Sequence, residues 1–432
     1  MDLPQRSSLS ATIRLFAIWV IVLLPFQNLP KTLALKWYGK GNTWTQLALW
    51  ADEGLALFLI IMLISWYFLK KSNNQLCGFS VPKSLLLFIS VNVVCITINN
   101  IDIYRGALAV FDYSKNISIA ILFYLLAYRL CEFKKALILF INIGLLVAIL
   151  GLIGEVLVLF TDSVVDVLVM GSERFGFHRV TSVAGVGAGN YVGVYIVLVF
   201  WLLFALRDEF THVKIKFCLL IIFISFTGSR QTWLSFFLLF FLVAGKRKIF
   251  FSIIAALIVI SLGYSMDVLT SFKEDELIGG LDYRSATYSM CINYIKTNPF
   301  WGVGPGMVGG LAVQILWSPL YSDWPPDVMW FLVRMRGEVD QFWGRLFADV
   351  GMIGGVAYLL IYLALGRDLL LGSRFFIKIG NRELQRVGEV LFYYILVLGV
   401  MGTASGINSA LITYPFFAFS GMYLSLYKNH HY

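Results

Sequence analysis

Residues 136–160 read ALILFINIGLLVAILGLIGEVLVLF, an apolar run with a single ionisable residue, Glu155. A helix that crosses the hydrocarbon of a bilayer needs roughly 20 consecutive apolar residues, and this run exceeds that length. A soluble amphipathic helix would interrupt it with polar residues on one face. A porin-like strand would alternate polar and apolar positions. Neither pattern is present, so the stretch is read as a transmembrane α-helix.

The rest of the chain repeats that signal. Of its 432 residues, 59% are hydrophobic and 14% charged, with a mean hydropathy of +0.80. A soluble globular protein carries roughly 25% charged residues. No core of this size hides so much apolar surface from water, so lipid is the implied solvent. Helices are expected at 11–29, 44–69, 84–98, 117–130, 136–160 and 181–206, then at 217–227, 233–244, 249–264, 346–365, 387–404 and 411–427. The fold class is therefore all-α and polytopic, with about twelve transmembrane helices. Residues 1–264 hold the first nine, 265–343 form one large loop that folds as a subdomain, and 344–432 hold the last three.

The formal net charge of +9 does not point to nucleic acid, because the basic residues gather in short loops and set orientation by the positive-inside rule. Lys70 and Lys71, Arg129 with Lys134 and Lys135, Arg207 with Lys214 and Lys216, 246–248, and Arg367 to Arg386 all fall on one side by parity. That side is read as the cytoplasm, with both termini on it and the 265–343 loop on the opposite, periplasmic face. Lys31, Lys36 and Lys40 dissent from this majority. The first apolar run follows Arg6 and Arg14 without a small-residue cleavage site and is read as an uncleaved helix. The five cysteines are scattered, with no CxxC pair, and suggest neither a disulfide framework nor a zinc site.

Within this frame the ionisable residues near membrane helices carry the chemical signal. An arginine at mid-helix costs roughly 2.5–3.5 kcal/mol on insertion scales and suggests function by default. Arg230 follows the Gly228-Ser229 break between two short helices, the tip of a tight hairpin or of a re-entrant pair. Arg284 opens an amphipathic loop helix expected at 285–297 and stopped by Asn298-Pro299. Arg174 and Arg179 flank the sixth helix, and Arg334 and Arg336 precede the tenth. Together they can form a cationic pocket for phosphate or pyrophosphate, whose oxygens accept two parallel bonds from a planar guanidinium. The competing reading is that each arginine reaches lipid headgroups or pairs with an acid.

Glu338 and Asp340 are candidate general bases at the membrane edge, or structural partners of Arg334 and Arg336. Asp349 and Glu155 are read as packing partners, 274–276 as a solvated acidic run, and Asp52 with Glu53 as an alternative acidic site. The run Gly302-Val303-Gly304-Pro305-Gly306 lacks the Lys-Ser/Thr of a P-loop. Its glycines permit a tight turn, and a backbone nest for an anion is the other reading. There is no DxD metal motif, and His178 is the only histidine outside the cytoplasmic loops.

The order of these features resembles the O-antigen polymerase and ligase superfamily. Gly-Ser-Arg-Gln-Thr-Trp at 228–233 is similar to its Ser-Arg-x-x-Trp stretch, and Asn298-Pro299-Phe300-Trp301-Gly302-Val303-Gly304 to its Asn/His-Pro-aromatic-x-Gly-x-Gly segment. Asp340-Gln341-Phe342 resembles the family's His/Asp-Asn stretch, and Asp349-Val350-Gly351-Met352-Ile353-Gly354 its acidic-x-Gly-x-x-Gly helix start. Residues 179–190 match a further segment more loosely. The motif-bearing stretch spans 179–355; earlier helices match only in hydropathy.

The resemblance implies a GT-C-like enzyme of the bacterial inner membrane that moves a glycan from undecaprenyl pyrophosphate on the periplasmic face. Arg230 and Arg284, with Arg179 weaker, would stabilise the pyrophosphate leaving group, and Asp340, or else Glu338, would take the acceptor proton. A metal ion or other cofactor is not required if arginines neutralise the pyrophosphate. A flippase and a chain-length regulator are implied partners, besides the lipid-linked oligosaccharide and the bilayer. Ligases of the family usually carry histidine where this chain has Asp340, so the resemblance favours a polymerase over transfer to lipid A-core. Two further classes remain open. A flippase or transporter would show mid-bilayer charges and two symmetric halves, and a metal-dependent transferase would use Asp52 and Glu53.

Overall fold

The structure, a computed structural model, describes residues 8–26, 51–69, 79–161, 169–174, 177–180, 182, 189–243, 277–278, 281–334, 339, 341–404 and 409–431. Among them the chain is predominantly helical. The first eight helices are α1 (Ser8–Leu23), α2 (Ala51–Leu69), α3 (Val81–Ile98), α4 (Ile103–Leu125), α5 (Leu130–Thr161), α6 (Gly189–Ala205), α7 (Val213–Phe226) and α8 (Arg230–Val243). The loop carries α9 (Tyr283–Thr297), α10 (Leu311–Leu316) and α11 (Pro326–Arg334), and α12 (Phe342–Lys378), α13 (Arg382–Ala404) and α14 (Ala410–His431) complete the chain. Two antiparallel hairpins interrupt the helices: β1 (Val169–Arg174) with β2 (Phe177–Val180), and β3 (Leu277–Ile278) with β4 (Leu281–Asp282).

Six of the described helices are long and apolar enough to cross a membrane: α3, α4, most of α5, α12, α13 and α14. Shorter apolar stretches lie in α1, α2, α6 and α8. The chain is a membrane-embedded helical protein. Each expected span has a helical counterpart except 249–264, which lies outside the described residues.

α12 runs to Lys378, thirteen residues past the expected end at 365. Two further boundaries differ from expectation for physical reasons. The helix expected at 117–130 starts fourteen residues earlier, at Ile103. Asp102 caps it by accepting the Arg105 N–H at 3.1 Å. Its first half falls outside the expected span because Asp112 and Lys115 depress the local hydropathy, yet both side chains are buried. The helix expected from 181 is described from Gly189 on, Ser182 has a left-handed φ of 56°, and Arg179, expected just before the helix, lies in β2. Between them, Ser182 Oγ donates to the Val147 carbonyl at 2.6 Å, about halfway along α5. Non-helical backbone at such depth is tolerated where protein covers it, and Ser182 is fully buried.

The bundle centre is the pair α4 and α14, packed along their lengths. A Cβ on Gly421 would fall 2.2 Å from the Ala120 carbonyl, so only glycine allows the two backbones so close. Side-chain contacts then fix which helix ends lie together. Thr413 bonds Asn116, Gly193 packs on Thr232, the Tyr394 hydroxyl donates to the Val194 carbonyl and Trp343 Nε1 donates to the Gly399 carbonyl. The starts of α4, α6, α8, α12 and α14 and the end of α13 therefore share one end of the bundle. The loop subdomain sits there. It has its own small core, in which Cys291, Val308, Tyr321, Trp324, Leu332 and Val339 are buried together.

Candidate functional site

The loop subdomain meets the bundle over a break in α12. Gly351 adopts φ 66° and ψ −172° inside that helix, which leaves the carbonyls before it and the N–H groups after it without helical partners. Backbone of the loop replaces them. Val303 and Gly304 donate to the Ala348 and Asp349 carbonyls at 2.9 Å each, while Met352 and Ile353 donate to the Pro299 and Phe300 carbonyls at 2.8 and 3.3 Å. The approach is too close for side chains. A Cβ on Gly302 would lie 2.4 Å from the Asp349 carbonyl oxygen, and one on Gly351 would lie 2.3 Å from the Phe300 carbonyl. The Asn-Pro-aromatic-x-Gly-x-Gly and acidic-x-Gly-x-x-Gly motifs, distant in sequence, are thus two halves of one backbone joint.

The anion nest considered for the glycine turn exists, and the chain fills it itself. The Asp349 carboxylate is fully buried and accepts N–H bonds from Gly306 (3.2 Å), Met307 (3.1 Å) and Val308 (2.7 Å). The Tyr113 hydroxyl adds a fourth at 2.8 Å. Asp349 is therefore a packing partner, as expected, but of the loop backbone more than of a helix. Charge-assisted bonds of this kind are about twice as strong as neutral ones.

Beside the nest lies a buried ionic cluster. Asp112 pairs with Lys115 one turn along α4 (2.8 Å) and with Arg345 in the first turn of α12 (3.2 Å); all three are at most 7% exposed. Lys115 also reaches Glu53 at the start of α2, at 3.7 Å. The Arg345 guanidinium lies over the Tyr113 and Phe342 rings, and the Leu311 N–H at the start of α10 points at Asp112 Oδ2 at 3.5 Å. Arg105 clamps the loop from the side, donating to the Gly306, Leu316 and Trp317 carbonyls. Charges taken out of water demand such partners, since the desolvation of each costs several kcal/mol.

The expected site residues stand around this joint as follows. Arg230 is the first residue of α8, at the loop end of the bundle, and Arg284 is the second residue of α9. Arg334 closes α11, and Arg174 and Arg179 lie in the β1–β2 hairpin, which packs against α5 and α7. Arg336, Glu338 and Asp340 lie outside the described residues. One contact nevertheless ties two of the candidates together. Thr287 Oγ1 donates to Gln341 Oε1 at 3.0 Å, so the first turn of α9, which carries Arg284, is fastened to the residue that follows Asp340. Of the alternative acidic pair, Glu53 belongs to the ionic cluster. Among the described residues, no three His, Cys, Asp or Glu side chains gather to hold a metal ion. The one cysteine of the loop core, Cys291, is buried, which pushes its thiol up to about 12 and away from nucleophilic chemistry.

Asp112, Tyr113, Lys115 and Arg345 were not among the expected site residues. The signal that exposes the first three is the Asp102 cap followed by opposite charges three residues apart on one helical face. With its carboxylates engaged by cations, N–H groups and a phenol, the cluster holds the loop in place rather than reacting. No family model matches the chain, and no curated protein matches it either.

Proposed function

We propose that the chain is a polysaccharide polymerase of about twelve spans, transferring glycan from undecaprenyl pyrophosphate to the next lipid-linked repeat at the loop end of the bundle, on the periplasmic face of a bacterial inner membrane. The observation that carries this reading is the Thr287–Gln341 bond. It brings the loop helix bearing Arg284 to the residue next to Asp340, above a joint that fixes loop to membrane. Such a transfer needs a cation and a carboxylate at a membrane edge, and this bond supports the reading by fastening the Arg284 helix to the neighbour of Asp340 in the chain.

In the proposed reaction a sugar hydroxyl of the acceptor attacks the anomeric carbon of the donor. The carbon–oxygen bond to pyrophosphate breaks as the new glycosidic bond forms. Asp340 takes the hydroxyl proton, with Glu338 as the nearest substitute. Negative charge grows on the departing polyprenyl pyrophosphate, where preorganised positive charge stabilises the transition state most. Arg284 and Arg230 supply it, with Arg179, Arg334 and Arg336 binding the same group more peripherally. The Asp349 nest and the Asp112–Arg345 pair keep these parts in register; an ångström of drift can cost about a hundredfold in rate.

The test is glycan laddering in a strain lacking the endogenous copy, complemented with wild type, Arg230→Ala, Arg284→Ala or Asp340→Ala at matched membrane abundance. Loss of the ladder to a single repeat is expected, with Asp340→Ala falling by about 10²–10⁴-fold if it is the base. Long glycan that stays on the lipid carrier would replace the polymerase with a ligase. Repeats retained in the cytoplasm would replace the enzyme with a transporter.

A further inference from the structure

We propose that the loop subdomain rests in the headgroup layer of the bilayer, held by an apolar collar made of Ile103 and Tyr104 at the start of α4, Ile315 and Trp317 at the end of α10, and Phe300. The occupant of this surface is lipid. The inference is independent of the reaction proposed above and requires only that the helices span a membrane.

Continuity with the membrane face carries the assignment. On α3, Leu87, Val94 and Ile98 form an exposed stripe at helical spacing, and on α12 so do Met352, Val356, Leu360 and Leu363. The two helices pack against each other, with Cys95 Sγ approaching the Val350 carbonyl, so both stripes look outward on one side of the bundle. Each stripe ends in the collar. The α3 stripe passes through the turn at 99–102 into Ile103, which is 79% exposed. The α12 stripe ends at Met352 and Ile353, whose N–H groups pair with the Pro299 and Phe300 carbonyls, and Phe300 is 64% exposed.

The two halves of the collar are joined through the loop. Arg105 donates to the Leu316 and Trp317 carbonyls, which sets α10 beside Tyr104. Gly304 sits on the side chain of Ile101, which sets the glycine turn against the same bend. Aromatic and aliphatic side chains exposed in a ring above lipid-facing helices are costly in water, and such contiguous patches mark interaction surfaces. Trp and Tyr at this level are what the membrane interface selects, since one end of each ring system is apolar and the other polar. Arg105 keeps its charge at the rim, bonded to carbonyls rather than buried in the patch.

The experiment uses the full chain, with its five native cysteines replaced by alanine, carrying one environment-sensitive fluorophore at F300C, W317C, S322C or L363C. Each is reconstituted in nanodiscs of phosphatidylcholine with a minor fraction of phosphatidylglycerol. Quenching is compared between aqueous iodide and lipids bearing a doxyl group at the top or at the middle of the acyl chain. Ser322, exposed on the loop, should report water, and Leu363, exposed on α12, the deep acyl region. Positions 300 and 317 should be quenched best by the shallow doxyl, consistent with side chains about 5–10 Å into the boundary between headgroups and acyl chains. If both instead follow Ser322, the subdomain stands clear of the membrane and the proposal fails. If neither quencher reaches them, protein covers the collar, a second copy or another partner, and the proposal fails too. Should the labelled chains not give a monodisperse protein, the wild type is photolabelled by a lipid carrying a carbene precursor beside the headgroup. Adducts at Phe300 and at 315–317 support the collar; adducts on the membrane helices alone overturn it.

Discussion

Ionic contacts at the two ends of the helix bundle differ in how deeply many of them sit. At the loop end, Asp112, Lys115 and Arg345 are at most 7% exposed and bind one another, while Asp349 is enclosed by backbone N–H groups. At the far end, Lys134 bridges Glu209 and Glu383, and Arg386 pairs with Asp208, whose side chain is 60% exposed. Exposed pairs contribute roughly 0–1 kcal/mol because water already solvates both partners. A buried pair is different: removing one partner strands the other in a low dielectric. The far end keeps buried charge as well, in Arg14 paired with Glu132 and in Asp368 held by Ser80. The comparison therefore teaches about particular sets: depth fixes the geometry of the loop-end cluster, whereas the Lys134 and Arg386 pairs lie nearer water.

Breaking that contrast should be easiest at Asp112. Among the described ion pairs, Asp112→Ala leaves Lys115 the longer contact to Glu53 and removes the α4 carboxylate that binds Arg345. A loss of about 3–5 kcal/mol is expected, read as a lowered melting midpoint in detergent. Asp349→Ala comes next, at about 3 kcal/mol, since three N–H groups and a phenol lose their acceptor. Here the distinguishing readout is protease cleavage within 299–334, because the nest opens while the bundle persists. Gly351→Ala should cost at least about 1–2 kcal/mol from its left-handed φ alone, with the same cleavage pattern as Asp349→Ala. A melting midpoint unchanged in all three would sink the idea of a rigid joint.

The far end supplies the small effects. Lys134→Ala should shift stability by less than about 1 kcal/mol, and high salt should mask the difference. Arg386 donates to the Asp208 carboxylate and holds it below the ordinary carboxylate range. A depressed folded value means that this contribution is complete above the ordinary Asp pKa and is lost as pH falls through the lower, folded one. Acid below the ordinary Asp range should thus loosen this pair, and Asp208→Asn should remove that part of the pH response. Equal acid sensitivity in wild type and Asp208→Asn would show that the pair is idle.

How much of this was legible beforehand depended on what letters can carry. A span such as 130–161 announces itself, since twenty apolar residues in a row have few other uses. The loop helix was legible too, stopped by Asn298-Pro299 as expected. The first half of α4 was not, because hydropathy averages Asp112 and Lys115 as separate charges when their helical spacing lets each neutralise the other. The glycine motifs were readable as motifs, but their meeting was not. Asp349 binds backbone N–H groups about forty residues upstream, and an N–H is the same in every residue but proline. The approach of α9 to Gln341 likewise rested on a Thr–Gln bond across 54 residues, between two side chains with no pattern to flag them.

The buried pair also constrains how the protein is made. Asp112 and Lys115 leave the ribosome 233 and 230 residues before Arg345. A lone charge at mid-helix resists transfer from the translocon into lipid. Together on one turn, the aspartate and lysine can enter as a nearly neutral dipole, and α4 needs no outside help to insert. Arg345 and Asp349, opposite in charge and one turn apart, form a second such couple on α12, made after α4 and the loop. Their partners are then already waiting, on α4 and on the glycine turn. Contacts supplied by the earlier chain thus fix where α12 settles, and its final position is coupled to α4 and the glycine turn.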